Sequence, residues 1–166
     1  MDPLIEKLAA TLLDCNDAQR QLLTDVLERF DAHIHNEEYR LPLNALIGST
    51  GETTDHTGIV RVQNTPAIQN SIQSPHGGII ATIIDGAMGR IATAQAQQQQ
   101  KLVVTSTMQI HYLATTQAAE LIATGTIIKA GRTSIVTECR VVDSDGRDIA
   151  FATGTFHIIT PRIPLP

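Results

Sequence analysis

The stretch NSIQSPHGGIIATIIDGAMG, residues 70–89, decides the prediction of the fold. It opens with a loop that closes at Ser74-Pro75, and isoleucines then recur at the spacing of one helix face. The apolar pattern continues beyond this stretch. We therefore predict one long helix that begins near His76-Gly77-Gly78 and ends near Ala96.

This helix has two faces of different composition when its residues are placed at about 100° intervals. The predicted core face consists of Ile79, Ile80, Ile83, Ile84, Ala87 and Ile91. The opposite face consists of Gly78, Ala81, Asp85, Met88, Gly89 and Ala92. Gly86 and Gly89 each cost a helix about 1 kcal/mol relative to Ala. They therefore indicate the close approach of another backbone or of a ligand.

Two features of this helix point to chemistry. Asp85 is an acid on a face of small apolar residues, so it is either a structural group bonded to a neighbouring chain or a catalytic base or nucleophile. The start of the helix, His76-Gly77-Gly78, presents backbone N–H groups at the positive end of the helix dipole. Such a terminus can bind an oxyanion or polarise a carbonyl.

The spacing between these two features limits how they can act together. His76 and Asp85 are nine residues apart, which is half a turn out of phase and about 13 Å along the axis. One helix therefore cannot place the Gly77 N–H and the Asp85 carboxylate around the same carbonyl. Two antiparallel helices related by a two-fold axis can. If both groups are catalytic, the site is shared between subunits.

Helices precede this segment and strands surround it. Residues 3–36 are predicted to be helical, with a break where Asn16 and Gln19 form a capping box, and Pro42 is expected to close this region. Two strands are predicted between residues 45 and 62, joined around His56-Thr57-Gly58. Four more are predicted at 102–113, 120–129, 134–142 and 147–159, with a Gly-containing turn at 143–146. The order indicates an α+β domain over residues 41–166, preceded by a helical extension over residues 1–40.

Alternation along the strand at 102–113 separates its side chains into two sets. We expect the first face to carry Leu102, Val104, Met108, Ile110 and Tyr112. We expect the second face to carry Thr105, Thr107, Gln109 and His111.

Composition and missing motifs exclude several classes of function. The chain has 166 residues, 42% hydrophobic and 17% charged, which excludes intrinsic disorder, and its net charge of −5 argues against nucleic-acid binding. No apolar run approaches the roughly 20 residues of a membrane span, and the first residues lack the features of a secretory signal. We expect a cytoplasmic protein in which Cys15 and Cys139 are reduced thiols. P-loop, GxGxxG, HExxH and GxSxG motifs are absent and the six histidines are scattered, so we expect neither a cofactor nor a metal site.

The chain resembles the hotdog-fold acyl-CoA thioesterases, specifically the phenylacetate-pathway subfamily of the 4-hydroxybenzoyl-CoA thioesterase group. The resemblance covers roughly residues 43–160. Its motifs are Asn70, the run His76-Gly77-Gly78, Asp85 and the segments 104–105, 110–113, 129–132, 143–146 and 152–156. It implies a hotdog fold, in which an antiparallel sheet wraps around one long central helix. It also implies hydrolysis of acyl-CoA by a dimer that pairs again into a tetramer.

The resemblance also implies roles for individual residues. Asp85 would be the nucleophile or general base, and Thr105 would position Asp85 or its water. The N–H of Gly77, in the segment that His76 opens, would polarise the thioester carbonyl with help from Asn70. The expected catalytic set is therefore Asp85, Gly77, Asn70, His76 and Thr105. The residues expected to bind CoA are Gly78, Gly131 and Arg132.

Two departures from the family pattern and two alternatives remain. Gln73 stands where the family commonly has Gly, and Pro75 stands where a small apolar residue is more usual, so acyl specificity is left open. A hotdog hydratase is disfavoured because Arg90, and not His, follows Asp85 by five residues. A non-catalytic acyl-CoA-binding protein is the alternative from another class, and release of free thiol distinguishes it from an enzyme.

Overall fold

The computed structural model describes residues 2–35, 39 and 41–160. The chain divides into two compact units, the first ending at Gly48 and the second beginning at Ser49. Within the described ranges, no helix combines the length and apolar character that a membrane crossing requires.

The first unit is helical, as predicted. Helix α1 spans Pro3–Asp14 and helix α2 spans Asp17–His35. The predicted capping box separates them, because the Gln19 N–H donates to Asn16 Oδ1 at 2.9 Å and the Asn16 N–H donates to Gln19 Oε1 at 3.1 Å. Residue 36, where we expected the helical region to end, lies outside the described residues.

A short third helix was not expected. Helix α3 spans Pro42–Ile47, so Pro42 begins a helix where we expected it only to close the helical region. Proline fits the first turn of a helix because its missing N–H has no partner there in any case. Gly48 ends α3 in the left-handed conformation, with φ of 68°. Arg29 Nε donates to the Ala45 carbonyl at 2.9 Å, which joins α2 to α3.

The second unit is a six-stranded antiparallel sheet with one long helix, which confirms the predicted architecture. The strands are β1 Ser49–Thr53, β2 Gly58–Gln63, β3 Leu102–Tyr112, β4 Glu120–Ala130, β5 Ser134–Asp143 and β6 Asp148–Ile159. Their order across the sheet is β1-β2-β4-β5-β6-β3, so β3 lies at one edge beside β6. A 3₁₀ turn at Pro66–Ile68 lies between β2 and the long helix α4, Gly77–Gln97.

Helix α4 packs against all six strands, so the sheet curves around it. This changes the predicted core face. Met88 and Ala92, which we placed on the opposite face, are fully buried, whereas Ile79 is only half-buried. A helix on a flat surface would bury one stripe. A curved sheet also covers the flanks of that stripe, and a helical wheel cannot show this curvature.

Glycines of the sheet allow the helix and the sheet to approach closely within this chain. A Cβ atom on Gly125 in β4 would lie 2.8 Å from the Ala87 carbonyl carbon, and one on Gly58 in β2 would overlap the Ala87 oxygen. Cβ atoms on Gly86 and Gly89 would meet only side chains, at 3.4 and 3.5 Å, which is ordinary contact. Within this chain, the sheet glycines therefore make the close approach.

A bulge in β3 overturns the predicted alternation. Thr105 pairs with Phe156 and Thr107 pairs with Thr155, so Ser106 is an extra residue in the ladder. Because paired residues share a face and Phe156 is buried, Thr105 lies on the helix side and Thr107 on the outer side. The set expected on one face is divided by the bulge. The outer side has Leu102 and Val104, and the helix side has Met108, Ile110 and Tyr112.

Candidate active site

The acid on α4 and a hydroxyl on β3 are in direct contact. Thr105 Oγ1 donates to Asp85 Oδ1 at 2.8 Å. Asp85 is half-buried, so one carboxylate oxygen is held by the sheet while the group keeps access to the surface. The bulge at Ser106 is what directs the Thr105 hydroxyl towards the helix.

The start of α4 presents one backbone N–H group. His76 is the N-cap residue, and its Nδ1 accepts the Gly78 N–H at 3.0 Å. The Gly78 N–H is therefore occupied by the side chain of the N-cap residue. The Gly77 N–H makes no hydrogen bond to any described residue. Of the two glycine N–H groups, Gly77 supplies the one available to a ligand.

Tyr112 holds the carbonyl group of Gly77. Its phenolic O–H donates to the Gly77 carbonyl at 3.0 Å, and a Cβ on Gly77 would lie 3.6 Å from the Tyr112 ring. No functional role was predicted for Tyr112 from the sequence. Its place at the end of β3 was the one sequence feature that could have indicated a role. Simple alternation did not show that Tyr112 and Thr105 share the helix side, because the bulge lies between them.

Asn70 organises the loop that precedes α4. Its Oδ1 accepts the N–H groups of Ile72 at 3.0 Å and Ser74 at 3.2 Å, and its own N–H donates to the Ser74 carbonyl at 2.8 Å. The side-chain oxygen is therefore engaged within the loop. The side-chain NH₂ is the group left to face a ligand.

The same loop contains a residue in a strained backbone conformation. Gln73 has φ of 59°, a left-handed conformation that glycine adopts freely and glutamine adopts only with strain. Glutamine at this position therefore places backbone strain in the loop.

The other expected residues lie away from this contact in the chain. Gly77 and Asp85 are eight residues apart on one helix, a rise of about 12 Å, so a single chain does not bring them together. Gly131 and Arg132 lie between β4 and β5, where the Gly131 N–H donates to the Ser134 carbonyl at 2.8 Å. Arg132 is exposed, and no ion pair formed among the described residues includes it.

Other reactive groups do not add to the site. Cys139 is buried in β5, and desolvation by this burial raises the pKa of its thiol to about 12, although a hydrogen bond with the Thr124 backbone acts in the opposite direction. At neutral pH it is therefore a protonated core residue. In the described part of the chain, no group of three or more His, Cys, Asp or Glu residues could hold a metal ion.

Part of the chain is similar in sequence to known proteins. Residues 74–150 match the family model of the thioesterase superfamily. The chain is 30% identical over 90 residues to SSO2140 of Saccharolobus solfataricus, a protein named for an esterase activity. That alignment covers 53% of this chain and 61% of the relative, so the chain spans less than two thirds of that relative's length.

Solved structures extend the similarity beyond the matched segment. The BH2602 protein of Bacillus halodurans, crystallised with CoA, has a TM-score of 0.84 and 27% identity, over 93% of this chain and 99% of that chain. The thioesterase PA1618 of Pseudomonas aeruginosa has a TM-score of 0.70 and 17% identity, over 76% of this chain and 91% of that chain, and shows the fold alone. The chain therefore has the hotdog fold, and its residues 74–150 are similar to the thioesterase superfamily.

Proposed function

We propose that this protein is an acyl-CoA thioesterase, which converts RCO–S–CoA and water into a free acid and CoA. The hydrogen bond between Thr105 and Asp85 carries the proposal, because it holds a partly exposed carboxylate inside the segment that matches the thioesterase superfamily. The similarity to BH2602, whose structure contains CoA, supports CoA as the carrier of the acyl group.

Asp85 can serve this reaction in two ways. As a general base, it takes a proton from water, the hydroxide attacks the thioester carbonyl, and the CoA thiolate leaves and is then protonated. As a nucleophile, it forms a mixed anhydride with the acyl group and releases CoA, and water then hydrolyses the anhydride. In both routes Thr105 binds one carboxylate oxygen and leaves the other to react.

The carbonyl needs a donor that the same helix cannot supply. The Gly77 N–H of a second subunit would polarise it, with the Asn70 NH₂ as a second donor and His76 holding the helix terminus in place. The edge position of β3 supports such an assembly, since eleven residues of an edge strand can pair with a second copy. We therefore propose a dimer with shared sites, and a tetramer as a pair of dimers. Sedimentation showing a monomer alone at micromolar concentration would remove the shared site.

The CoA moiety would lie along residues outside the catalytic contact. We propose that Gly78 allows the pantetheine arm to approach the helix terminus. Gly131 and Arg132, in the β4–β5 connection, would face the phosphates. The exposed guanidinium of Arg132 has the charge for this role.

The proposal is tested by release of free thiol from a panel of aryl, short-chain and long-chain acyl-CoAs. The aryl substrates are included because the motifs resemble those of the phenylacetate-pathway subfamily. We expect turnover of at least one class, with loss of turnover in Asp85→Asn. Tight binding of acyl-CoA without thiol release from any substrate would instead establish the non-catalytic alternative.

A further inference from the structure

A buried polar chain lies behind the loop that precedes α4. The Thr116 hydroxyl donates a hydrogen bond to Oδ2 of Asp143, at the end of β5, with an O···O distance of 2.6 Å. The Thr116 N–H donates in turn to Ser74 Oγ at 3.3 Å. The relative exposures of Asp143, Thr116 and Ser74 are 3%, 8% and 3%, so the three groups are withdrawn from water.

The chain continues to a residue of the candidate site. Ser74 donates its N–H to Asn70 Oδ1 and accepts the Asn70 N–H on its carbonyl oxygen. Two residues beyond Ser74 lies His76, the N-cap of α4, whose own N–H donates to the Ile68 carbonyl at 2.8 Å. The position of Ser74 therefore affects both Asn70 and the start of the helix.

Asp143 is a firm anchor for this chain. Its Oδ1 accepts the N–H groups of Asp145 at 3.1 Å and Arg147 at 2.9 Å, while Oδ2 accepts the Thr116 hydroxyl. The Thr116 hydroxyl also accepts the Ala118 N–H at 3.0 Å. Buried polar groups with these bonds satisfied are rigid, because losing one partner leaves the other without a replacement from water.

We propose that Thr116, held by Asp143 and acting through Ser74, is a positioning residue for the reaction: it sets the loop that places the Asn70 NH₂ and the Gly77 N–H. This inference rests on the proposed thioesterase function. It explains why a carboxylate, a hydroxyl and a serine are buried together at a place where none of them reaches Asp85 directly. A donor displaced by a fraction of an ångström stabilises the transition state less, with little effect on substrate binding.

The test compares Thr116→Val with Thr116→Ser. The valine keeps the shape and removes the hydroxyl, while the serine keeps the hydroxyl. We expect Thr116→Val to lower kcat by about 10- to 100-fold with KM for acyl-CoA changed less than about twofold. We expect Thr116→Ser to stay within about twofold of wild type in both parameters. Ser74→Ala, which removes only the acceptor of the Thr116 N–H, provides a second and milder variant.

Thr137→Val is the matched control. Thr137, like Thr116, is a buried threonine with a bonded hydroxyl. Its hydroxyl donates to the Gly154 carbonyl at 3.2 Å, and this bond lies within the sheet. The Thr137→Val variant should lose about as much thermal stability as Thr116→Val and keep the kcat of the wild type. An equal fall in kcat in Thr137→Val, or an unchanged kcat in Thr116→Val, would overturn the proposal.

A second measurement separates this inference from the function on which it rests. Hydrogen exchange at the amides of Ile72 and Ser74 reports the loop directly and needs no turnover. We expect faster exchange there in Thr116→Val and no change in Thr137→Val. Unchanged exchange would overturn the positioning role even in an active enzyme. If the wild type hydrolyses no acyl-CoA, the proposed function fails while the exchange result still decides whether Thr116 holds the loop.

Discussion

Thr105 and Asp85 meet at 2.8 Å because β3 contains one extra residue. Without the bulge at Ser106, strict alternation would place Thr105 on the same side as Thr107, with its hydroxyl directed away from the helix. The bulge turns the Thr105 side chain towards the helix and leaves Thr107 on the outer side of the sheet. A local break in the sheet thus builds the contact on which the proposed chemistry depends.

The first prediction uses this pair of threonines. Thr105→Val removes a hydrogen bond to a carboxylate, which is worth about 1.5–3 kcal/mol, so we expect kcat to fall about 10- to 100-fold in the thiol-release assay. Thr105→Ser should retain most of the activity. Thr107→Val, the same change two residues away on the outer face, should stay within about twofold. Equal losses in both valine variants would assign the effect to the strand and not to the bond with Asp85.

The second prediction concerns Asp85 itself. Asp85→Asn keeps the shape and can still accept the Thr105 hydroxyl, but it removes the base or nucleophile. We expect hydrolysis to fall by at least about 100-fold, while binding of acyl-CoA and the oligomer are retained. Asp145→Asn, at an exposed acid in the β5–β6 turn, serves as the control. Normal turnover with a lower melting temperature in Asp85→Asn would make Asp85 a structural residue.

The third prediction concerns the helix terminus. A Cβ on Gly77 would be in ordinary contact with Tyr112, so Gly77→Val should fold, but its branched side chain would crowd the N–H group. Loss of one oxyanion donor costs on the order of 100- to 1,000-fold in kcat. Kinetics near those of the wild type, together with an unchanged melting curve, would remove Gly77 from the proposed site.

The fourth prediction separates the CoA phosphates from the reacting thioester. Arg132→Ala should raise KM for acyl-CoA, because an exposed cation that contacts phosphate contributes to binding of the carrier. The same variant should process an acyl-pantetheine, which lacks the nucleotide, like the wild type. An equal change in KM for both substrates would indicate an ordinary exposed arginine.

The fifth prediction concerns backbone strain at Gln73. The left-handed conformation of Gln73 costs the folded state about 1–2 kcal/mol. Glycine avoids this cost, but its greater freedom in the unfolded chain offsets about 0.4–1 kcal/mol of the improvement. Gln73→Gly should therefore raise the free energy of unfolding by about 0.5–1 kcal/mol, which thermal denaturation can measure as a shift of about 1–4 °C. Gln73→Ala keeps the Cβ and should show no such gain. A lower melting temperature in Gln73→Gly would contradict the strain.

Several elements followed from signals that act within a few residues. The break between α1 and α2 lies where Asn16 and Gln19 can cap each other, and both bonds are present. The turn between β5 and β6 has Gly146 at φ of 81°, as its sequence indicated. The start of α4 and the four strands after it were predicted to within one or two residues, because hydrophobic period and turn residues are local properties.

The features that required the tertiary structure depend on how elements press against one another. Met88 is buried because the sheet curves around α4, Gly125 is required because β4 touches the helix backbone, and Thr105 turns inward because the ladder with β6 contains an extra residue. Each results from contacts between residues far apart in the sequence. The sequence by itself determined the kind and order of the elements, since capping, turns and periodicity act locally. Packing decided which side chains those elements bring together, since curvature and register are properties of the assembled sheet and helix.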